Sequence, residues 1–194
     1  MTRWTFEPGH TAAEFCVRHM MITYVRGHFK NIHGTLEFDA AQSTLSRVEA
    51  VIETRELWTG DPSRDVHLKS ADFLDVEHFP QIRFVGTQVR LRGPNDGVVL
   101  GDLTIRGVTR PVEMEVHYLG QWQTPWWEDG VNRGPKTRAG FSAQHGSIVT
   151  TLASAGTIPS IGAGWSWGTM SSSRSMRRLS SRHSRGTCPG ALGP

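Results

Sequence analysis

The sequence has only two cysteines, Cys16 and Cys188, which is too few for a secreted domain held together by a disulfide framework. It has no apolar run near the roughly 20 residues that a membrane-spanning helix needs. The first residues, MTRWTFEPGHT, lack the basic-then-apolar order of a secretion signal. We therefore expect a cytoplasmic protein of a reducing compartment, without stable insertion into a membrane.

Acidic residues are missing from the last part of the chain. All 18 of them lie at or before Asp129, whereas residues 145–194 contain five arginines and no lysine. Residues 1–144 hold 16 of the 21 basic residues and so carry a net charge of −2, and the basic pI of 9.2 comes from the segment that follows. With 37% apolar residues in 194, the chain suits one domain with a real core. We predict a domain over 1–144 and an irregular tail over 145–194.

The common motifs of catalysis and phosphate binding are also missing: there is no GxSxG, no HExxH and no phosphate-cradling glycine loop. Nine histidines are present, but none forms a usual metal-ligand spacing with a third ligand nearby. His28 and His33 are five residues apart, so in an unbroken strand they face opposite sides. We expect no bound metal, no cofactor and no enzymatic activity.

One dense polar group, RDVHL, leaves an alternative open. Arg64, Asp65 and His67 have the chemistry of a clamp, an acid and a base, and would suit a small hydrolase or isomerase. The favoured interpretation is structural: a helix begins here, Ser63 or Asp65 caps its free amides, and the arginine pairs with a carboxylate.

What the chain does have is alternation of period two, which is typical of strands with one buried face. In AAEFCVRH, Ala13, Phe15 and Val17 alternate with other residues. Apolar residues alternate in the same way in RVEAVIETREL and QIRFVGTQVRL. The clearest signal is GDLTIRGVTRPVEMEV, in which two alternating runs flank a turn at Gly107, as in a β-hairpin. TRAGFSAQ predicts one more strand.

The segments between these runs are less regular. MMITYV predicts a short helix or a turn, Gly34 a bend or bulge, and PWWEDGVNRGPK a loop. Residues 59–80 predict a loop with one or two helical turns. About seven strands joined by short turns indicate an antiparallel sandwich or barrel.

Three stretches resemble the YceI-like family of bacterial polyisoprenoid-binding proteins. They are HTAAEFCVRHMMITYVRGHF, TGDPSRDVHLKSADFLDVEHFPQIRF and GDLTIRGVTRPVEMEV, and the match runs in order from about Trp4 to Gln144. The resemblance implies an all-β fold, an extended lipocalin-like antiparallel β-barrel of eight strands with a short helical segment. It also implies a non-catalytic lipid-binding protein that holds a long isoprenoid or similar lipid in an apolar interior.

The resemblance places the lipid-binding wall on inward-facing strand residues. Alternating apolar side chains can supply such a wall, since a flexible hydrocarbon needs a long dry space more than specific polar contacts. The predicted inward-facing residues are Phe15, Val17, Phe29, Leu36, Phe38, Ile52, Phe84, Leu103, Ile105, Met114 and Val116.

The resemblance stops after AGFSAQ, where the family continues with an Arg/Asp-Phe-Gly pattern, a VGD turn and a closing strand. Back-translation of residues 164–171 in an alternative frame permits VVGDDV, and residues 149–157 permit HDFGISWN in the same frame. Our hypothesis is that the coding sequence shifts frame between about Gln144 and Val149. About seven of the eight strands are then present, with unpaired edges in the RWTF and AGFSAQ strands, and we expect a marginal, aggregation-prone barrel.

A second class of function, nucleic-acid association, would use the C-terminal segment. Trp165 and Trp167 could stack on bases while the five arginines contact phosphates, although five arginines spread over 50 residues form a sparse patch. We therefore expect a lipid as the ligand and no nucleic-acid partner, and a homodimer stays open.

Overall fold

A computed structural model of the protein describes residues 2–19, 22–38, 47–145 and 169–172. Within them the backbone is mostly extended, as the alternating runs predicted. The strands are β1 (Thr2–Phe6), β2 (Ala13–His19), β3 (Thr23–Phe29), β4 (Ile32–Phe38), β5 (Arg47–Glu53), β6 (Leu57–Trp58), β7 (Gln81–Leu91), β8 (Asp96–Ile105), β9 (Val108–Glu128), β10 (Val131–Gln144) and β11 (Thr169–Ser172). One α-helix, α1, spans Pro62–Lys69, and short 3-10 turns occur at Pro8–His10 and Thr54–Glu56.

Eight of these strands form a closed antiparallel barrel in the order β1-β11-β10-β9-β8-β7-β5-β4. The ring closes because β4 pairs with β1, with Trp4 opposite Leu36. The strands β2, β3 and β6 form a separate three-stranded sheet. The predicted all-β antiparallel barrel with one short helix is confirmed.

The ring is more complete than the sequence predicted. We expected unpaired edges on β1 and β10, but β11 pairs with both: Phe6 and Ala139 each lie opposite Met170. Strand pairing uses backbone N–H and C=O groups, so an extended segment can close a ring without the side chains that the family has there. The expected open edges are therefore wrong, whereas the predicted seven barrel strands within residues 1–144 are confirmed, and four residues of the tail complete the ring.

The hypothesis of a shifted reading frame concerns the DNA and stays a prediction, as does the boundary at residue 144. Apart from His145 and β11, residues 145–194 lie outside the described part of the chain. Sequencing the coding DNA tests the hypothesis: the alternative frame is expected to stay open and to encode the family's closing turn and strand. A stop codon or unrelated residues there would contradict it.

Two segments that we expected to be irregular are extended. PWWEDGVNRGPK forms the ends of β9 and β10, and the turn is confined to Asp129 and Gly130, both at positive φ. Pro125 lies opposite Pro135, so two residues that cannot donate to the ladder share one row. In MMITYV, Thr23 already begins β3, Ile22 is in a turn, and residues 20–21 lie outside the description.

Gly34 marks a close approach of two strands, where we had expected a bend or bulge. The pairing of β4 with β5 continues past it without a register shift. A Cβ atom at this position would lie 2.1 Å from the backbone oxygen of Glu49 and 2.7 Å from the Phe6 ring. Glycine is thus required by space.

The helix and the segment after it cover the barrel near the turn between β8 and β9. Leu68 and Leu74 pack against the core. Arg106, in that turn, donates from Nη1 to the backbone oxygen of Phe73 at 3.0 Å. These contacts fix the 59–80 segment, which was predicted as a loop with one or two helical turns, across the barrel.

Candidate functional site

The barrel interior is the candidate site, because most of the predicted inward-facing residues meet there. Seven of the eleven are buried in one hydrophobic cluster: Phe29, Leu36, Ile52, Phe84, Leu103, Ile105 and Met114. Phe15 and Val116 are half-buried and pack against that cluster. The seven buried residues come from six different strands, one of which, β3, lies outside the ring, and that they contact a lipid stays a prediction.

Two predicted residues differ from the rest. Val17 is half-buried and does not belong to the described core cluster, and in the same strand Cys16 is buried instead. The strand β2 lies in the three-stranded sheet outside the ring, and of its described side chains only Ala13 and Phe15, nearer its start, reach the core cluster. Phe38 lies opposite Thr2 in the ladder, and its side chain is outside the description.

The core cluster also contains apolar residues that were not among the eleven predicted inward-facing ones. They are Trp4, Phe6, Ala13, Ile32, Ala50, Leu57, Ile82, Val99, Val112, Ala139, Phe141 and Ala143. The alternation in RWTF and AGFSAQ is a signal that could have found those of β1 and β10. Others, such as Ile32, are isolated apolar residues whose burial depends on the ring.

Polarity changes along the inner face of β9 and β10. Val116 lies opposite Ala143, and the next inward pair is Tyr118 and Phe141, whose ring centroids are 5.1 Å apart. Burial raises the pKa of the Tyr118 phenol, as expected for a neutral group in apolar surroundings.

Further along the same face, two glutamines replace the apolar residues of β9. Gln121, opposite Ala139, is exposed, whereas Gln123, opposite Thr137, is half-buried. The wall is therefore apolar at one level and polar at the other.

Two buried polar groups lie at this polar level. The Nε1 of Trp4 and the Oγ1 of Thr137 have no hydrogen-bond partner within the described part of the chain. Both side chains are almost fully enclosed, with exposures of 4% and 5%. A buried polar group without a partner costs about 1–3 kcal/mol, so each of these two requires an explanation.

Charged residues at this level lie on the other face of β10. Arg138 Nε donates to Glu7 Oε2 at 2.8 Å, and Lys136 Nζ lies 3.0 Å from Glu7 Oε1. Lys136 also lies 3.8 Å from the centre of a Trp126 ring. Both cations alternate with the inward residues Thr137 and Ala139, so their charges are directed away from the interior.

The RDVHL group is structural in its contacts. Asp61, and not Ser63 or Asp65, caps α1 by accepting from the amides of Ser63 and Arg64 at 3.0 and 3.1 Å. Our choice of capping residue was thus wrong, because the cap lies one residue before Pro62, the first residue of the helix.

The acid and the base of this group are also separated. Asp65 Oδ1 accepts from Thr59 N at 2.9 Å and from Thr59 Oγ1 at 2.6 Å. Arg64 donates to the same threonine, where we had expected a carboxylate. His67 Nε2 instead lies 3.5 Å from an oxygen of Asp72. Asp65 therefore fixes Thr59, in the loop that precedes the helix.

A pair of variants separates the structural interpretation from the catalytic one. Asp65→Ala is expected to lower the free energy of unfolding by about 2 kcal/mol, because two buried donors of Thr59 lose their acceptor. His67→Ala, on the exposed side of the same helix, is expected to change it by less than about 0.5 kcal/mol. Urea unfolding measures both. Loss of turnover of a lipid ester in His67→Ala, with binding intact, would favour the catalytic alternative.

A cleft of about 320 Å³ is lined by Arg92, Asp96, Gly97, Glu115, Val116, His117, Ser142 and Gln144, so it includes one residue of the inner wall, Val116. Its charges are largely paired: Arg92 bonds Glu115 at 2.9 Å, and His117 bonds Asp96 at 2.7 Å. In the described ranges no three His, Cys, Asp or Glu side chains are grouped to hold a metal ion. No helix there is long and apolar enough to cross a membrane. The proposed base-stacking residues, Trp165 and Trp167, lie outside the description.

The closed antiparallel ring with an apolar interior defines a lipocalin-like β-barrel. More specifically, residues 4–158 match the YceI-like domain, and the chain belongs to that family. A UPF0312 protein of Pseudomonas putida strain W619 is 34% identical over 137 residues, which are 71% of this chain and 67% of that relative.

Solved structures have the same fold. The YceI protein of Campylobacter jejuni has a TM-score of 0.64 at 23% identity, covering 80% of this chain and 90% of its own. A domain from Saccharophagus degradans, described as polyisoprenoid-binding, has a TM-score of 0.58 at 11% identity, covering 90% of this chain and 99% of its own. The family resemblance read from the three sequence stretches is confirmed.

Proposed function

We propose that this protein binds a long-chain isoprenoid or a similar lipid inside its barrel, as a carrier, a store or a sequestering protein, without changing the lipid chemically. The observation that carries the proposal is the single apolar cluster to which β1, β4, β5, β7, β8, β9 and β10 all contribute. A hydrocarbon chain gains about 0.8 kcal/mol for each methylene group that such a lining removes from water.

The comparison with the Saccharophagus degradans domain supports the same class of ligand, since that protein is described as polyisoprenoid-binding and has a similar ring of strands. The chemistry of the interior is consistent with binding alone. The core cluster consists of Leu, Ile, Val, Ala, Phe, Met and Trp side chains, which cannot act as an acid, a base or a nucleophile, and burial raises the pKa of the Tyr118 phenol packed against it.

Native mass spectrometry of freshly purified protein tests the proposal. We expect a lipid of fixed mass to copurify with the chain and to exchange with an added long-chain prenyl lipid. A protein that carries no lipid and takes up none from prenyl-lipid micelles would contradict the proposal.

A matched pair of variants locates the bound lipid. Val116→Trp adds a large ring to the inner wall and is expected to weaken lipid binding at least tenfold by taking up space in the interior. Glu115→Trp places the same ring on the exposed outer face one residue away and is expected to have little effect. Ala143→Leu, on the strand opposite Val116, gives a smaller obstruction. Circular dichroism verifies the fold of each variant.

A further inference from the structure

We propose that the lipid carries an uncharged oxygen-bearing head group, which accepts hydrogen bonds from Trp4 Nε1 and Thr137 Oγ1 at the polar level of the barrel. This inference rests on the proposed function and assigns an orientation to the ligand. The hydrocarbon chain then extends toward the apolar level, where Tyr118, Phe141 and Val116 line the wall.

The strand register places the two donors in one row. Thr5 and Arg138 both lie opposite Ser171, and Phe6 and Ala139 both lie opposite Met170. Since β1 and β10 flank β11 in this register, Trp4 is level with Thr137. Two strand spacings separate their backbones, about 9.5 Å, and the indole spans part of that gap. A small oxygen-bearing group that bonds both donors would lie on the inner side of β11, at the row of Ser172.

Both donors face the interior. Trp4 belongs to the core cluster, and Thr137 shares the inner face of β10 with Ala139, Phe141 and Ala143. Each side chain is at least nine-tenths buried, and within the described residues neither polar atom has a partner. An acceptor oxygen on the ligand would remove the desolvation penalty of both groups at once.

The charges around this level indicate a neutral head group. Arg138 and Lys136 lie on the opposite face of β10 and are paired with Glu7, and Arg3, beside Trp4 in β1, is exposed. An anionic phosphate at the inner level would leave water and meet only neutral donors, which is strongly unfavourable. An uncharged alcohol or carbonyl oxygen would instead accept hydrogen bonds from these neutral donors.

The inner wall agrees with this orientation. The inward pairs of β9 and β10 change from Val116 with Ala143 to Gln123 with Thr137. A lipid with one polar end matches such a wall in a single direction, whereas a pure hydrocarbon gains nothing from the polar level. The geometry thus distinguishes an oxygenated lipid from an oxygen-free one.

Binding of three probes to the full chain tests the proposal: a long-chain prenyl alcohol, its monophosphate and squalene, which has no oxygen. We expect the alcohol to bind more tightly than either of the others. Thr137→Val, which removes the hydroxyl at constant volume, and Trp4→Phe are each expected to weaken alcohol binding about threefold to tenfold and to leave squalene binding unchanged. Thr137→Ser keeps the hydroxyl and is expected to restore alcohol binding.

Thr5→Val is the matched control, because Thr5 is exposed on the outer face of β1, next to Trp4. If squalene binds as tightly as the alcohol in every variant, the proposed function stands and the head-group site is overturned. The head-group site is also overturned if the monophosphate binds best. It is overturned as well if Thr137→Val lowers stability without changing the ratio of alcohol to squalene affinity, because a structural water would then be the partner of the hydroxyl. If none of the probes binds, the proposed function fails and this inference fails with it.

Discussion

Met170→Pro is expected to open the barrel and to lower the free energy of unfolding by at least about 3 kcal/mol. Met170 lies in the middle of β11, opposite Phe6 on one side and Ala139 on the other. Proline cannot donate to a ladder, and in a strand with a neighbour on both sides its ring disrupts the pairing. The midpoint of urea unfolding measures the loss of stability.

The same variant is expected to associate. With β11 displaced, β1 and β10 present unpaired backbone groups, which pair readily with other chains. Sedimentation velocity should then show dimers or larger species. Met170→Val keeps the donor and a residue suited to strands, so it is expected to remain close to the parent protein. If Met170→Pro were as stable and as dispersed as the parent, β11 would not contribute to closing the ring.

Gly34→Ala is expected to destabilise the barrel by more than about 3 kcal/mol, which is a large part of the roughly 5–15 kcal/mol by which an ordinary domain is stable. The new Cβ would lie 2.1 Å from the Glu49 backbone oxygen and 2.7 Å from the Phe6 ring. The strand positions are fixed by ladders on both sides of β4, so neither neighbour can retreat without breaking hydrogen bonds.

Gly9→Ala is the control for this experiment. A Cβ atom at Gly9 would meet no atom within 4 Å, and the residue does not have positive φ. We expect a change of at most a few tenths of a kcal/mol, with a small gain from the lower entropy of the unfolded chain. Thermal and urea unfolding of the two variants compare the sites. Equal stability of Gly34→Ala and the parent would show that β4 and β5 are farther apart than described.

The strands were predictable where one face of the sheet is buried and the other is exposed. Leu103, Ile105 and Met114 alternate with polar neighbours, and all three lie in the core. The prediction failed where the strand has no buried face to mark it. The distal parts of β9 and β10 are largely exposed and contain prolines and glycines, so their composition resembles a loop although their backbones are paired.

At the start of α1, the sequence predicted the helix but not its capping residue. The sequence located a helix near RDVHL, because turn residues and a proline precede it, but not the residue that caps it. Ser63, Asp65 and Asp61 are all good capping residues. Asp61 takes the role because Pro62 occupies the first helical position, while the carboxylate of Asp65 is already engaged by Thr59. Thr59 bonds Asp65 because the folded loop brings the two residues together, which the sequence does not show.

By itself, the sequence determined the class of the fold, the family, and most of the inward-facing apolar residues, because alternation and motif order are local properties of the chain. Only the tertiary structure decided which strand closes the ring, and that Trp4 and Thr137 lie at one level of the interior. Those two residues are 133 positions apart in the sequence, and no local pattern relates them. Their proximity follows from the register of β1 and β10 against β11, which is set by backbone hydrogen bonds along the whole barrel.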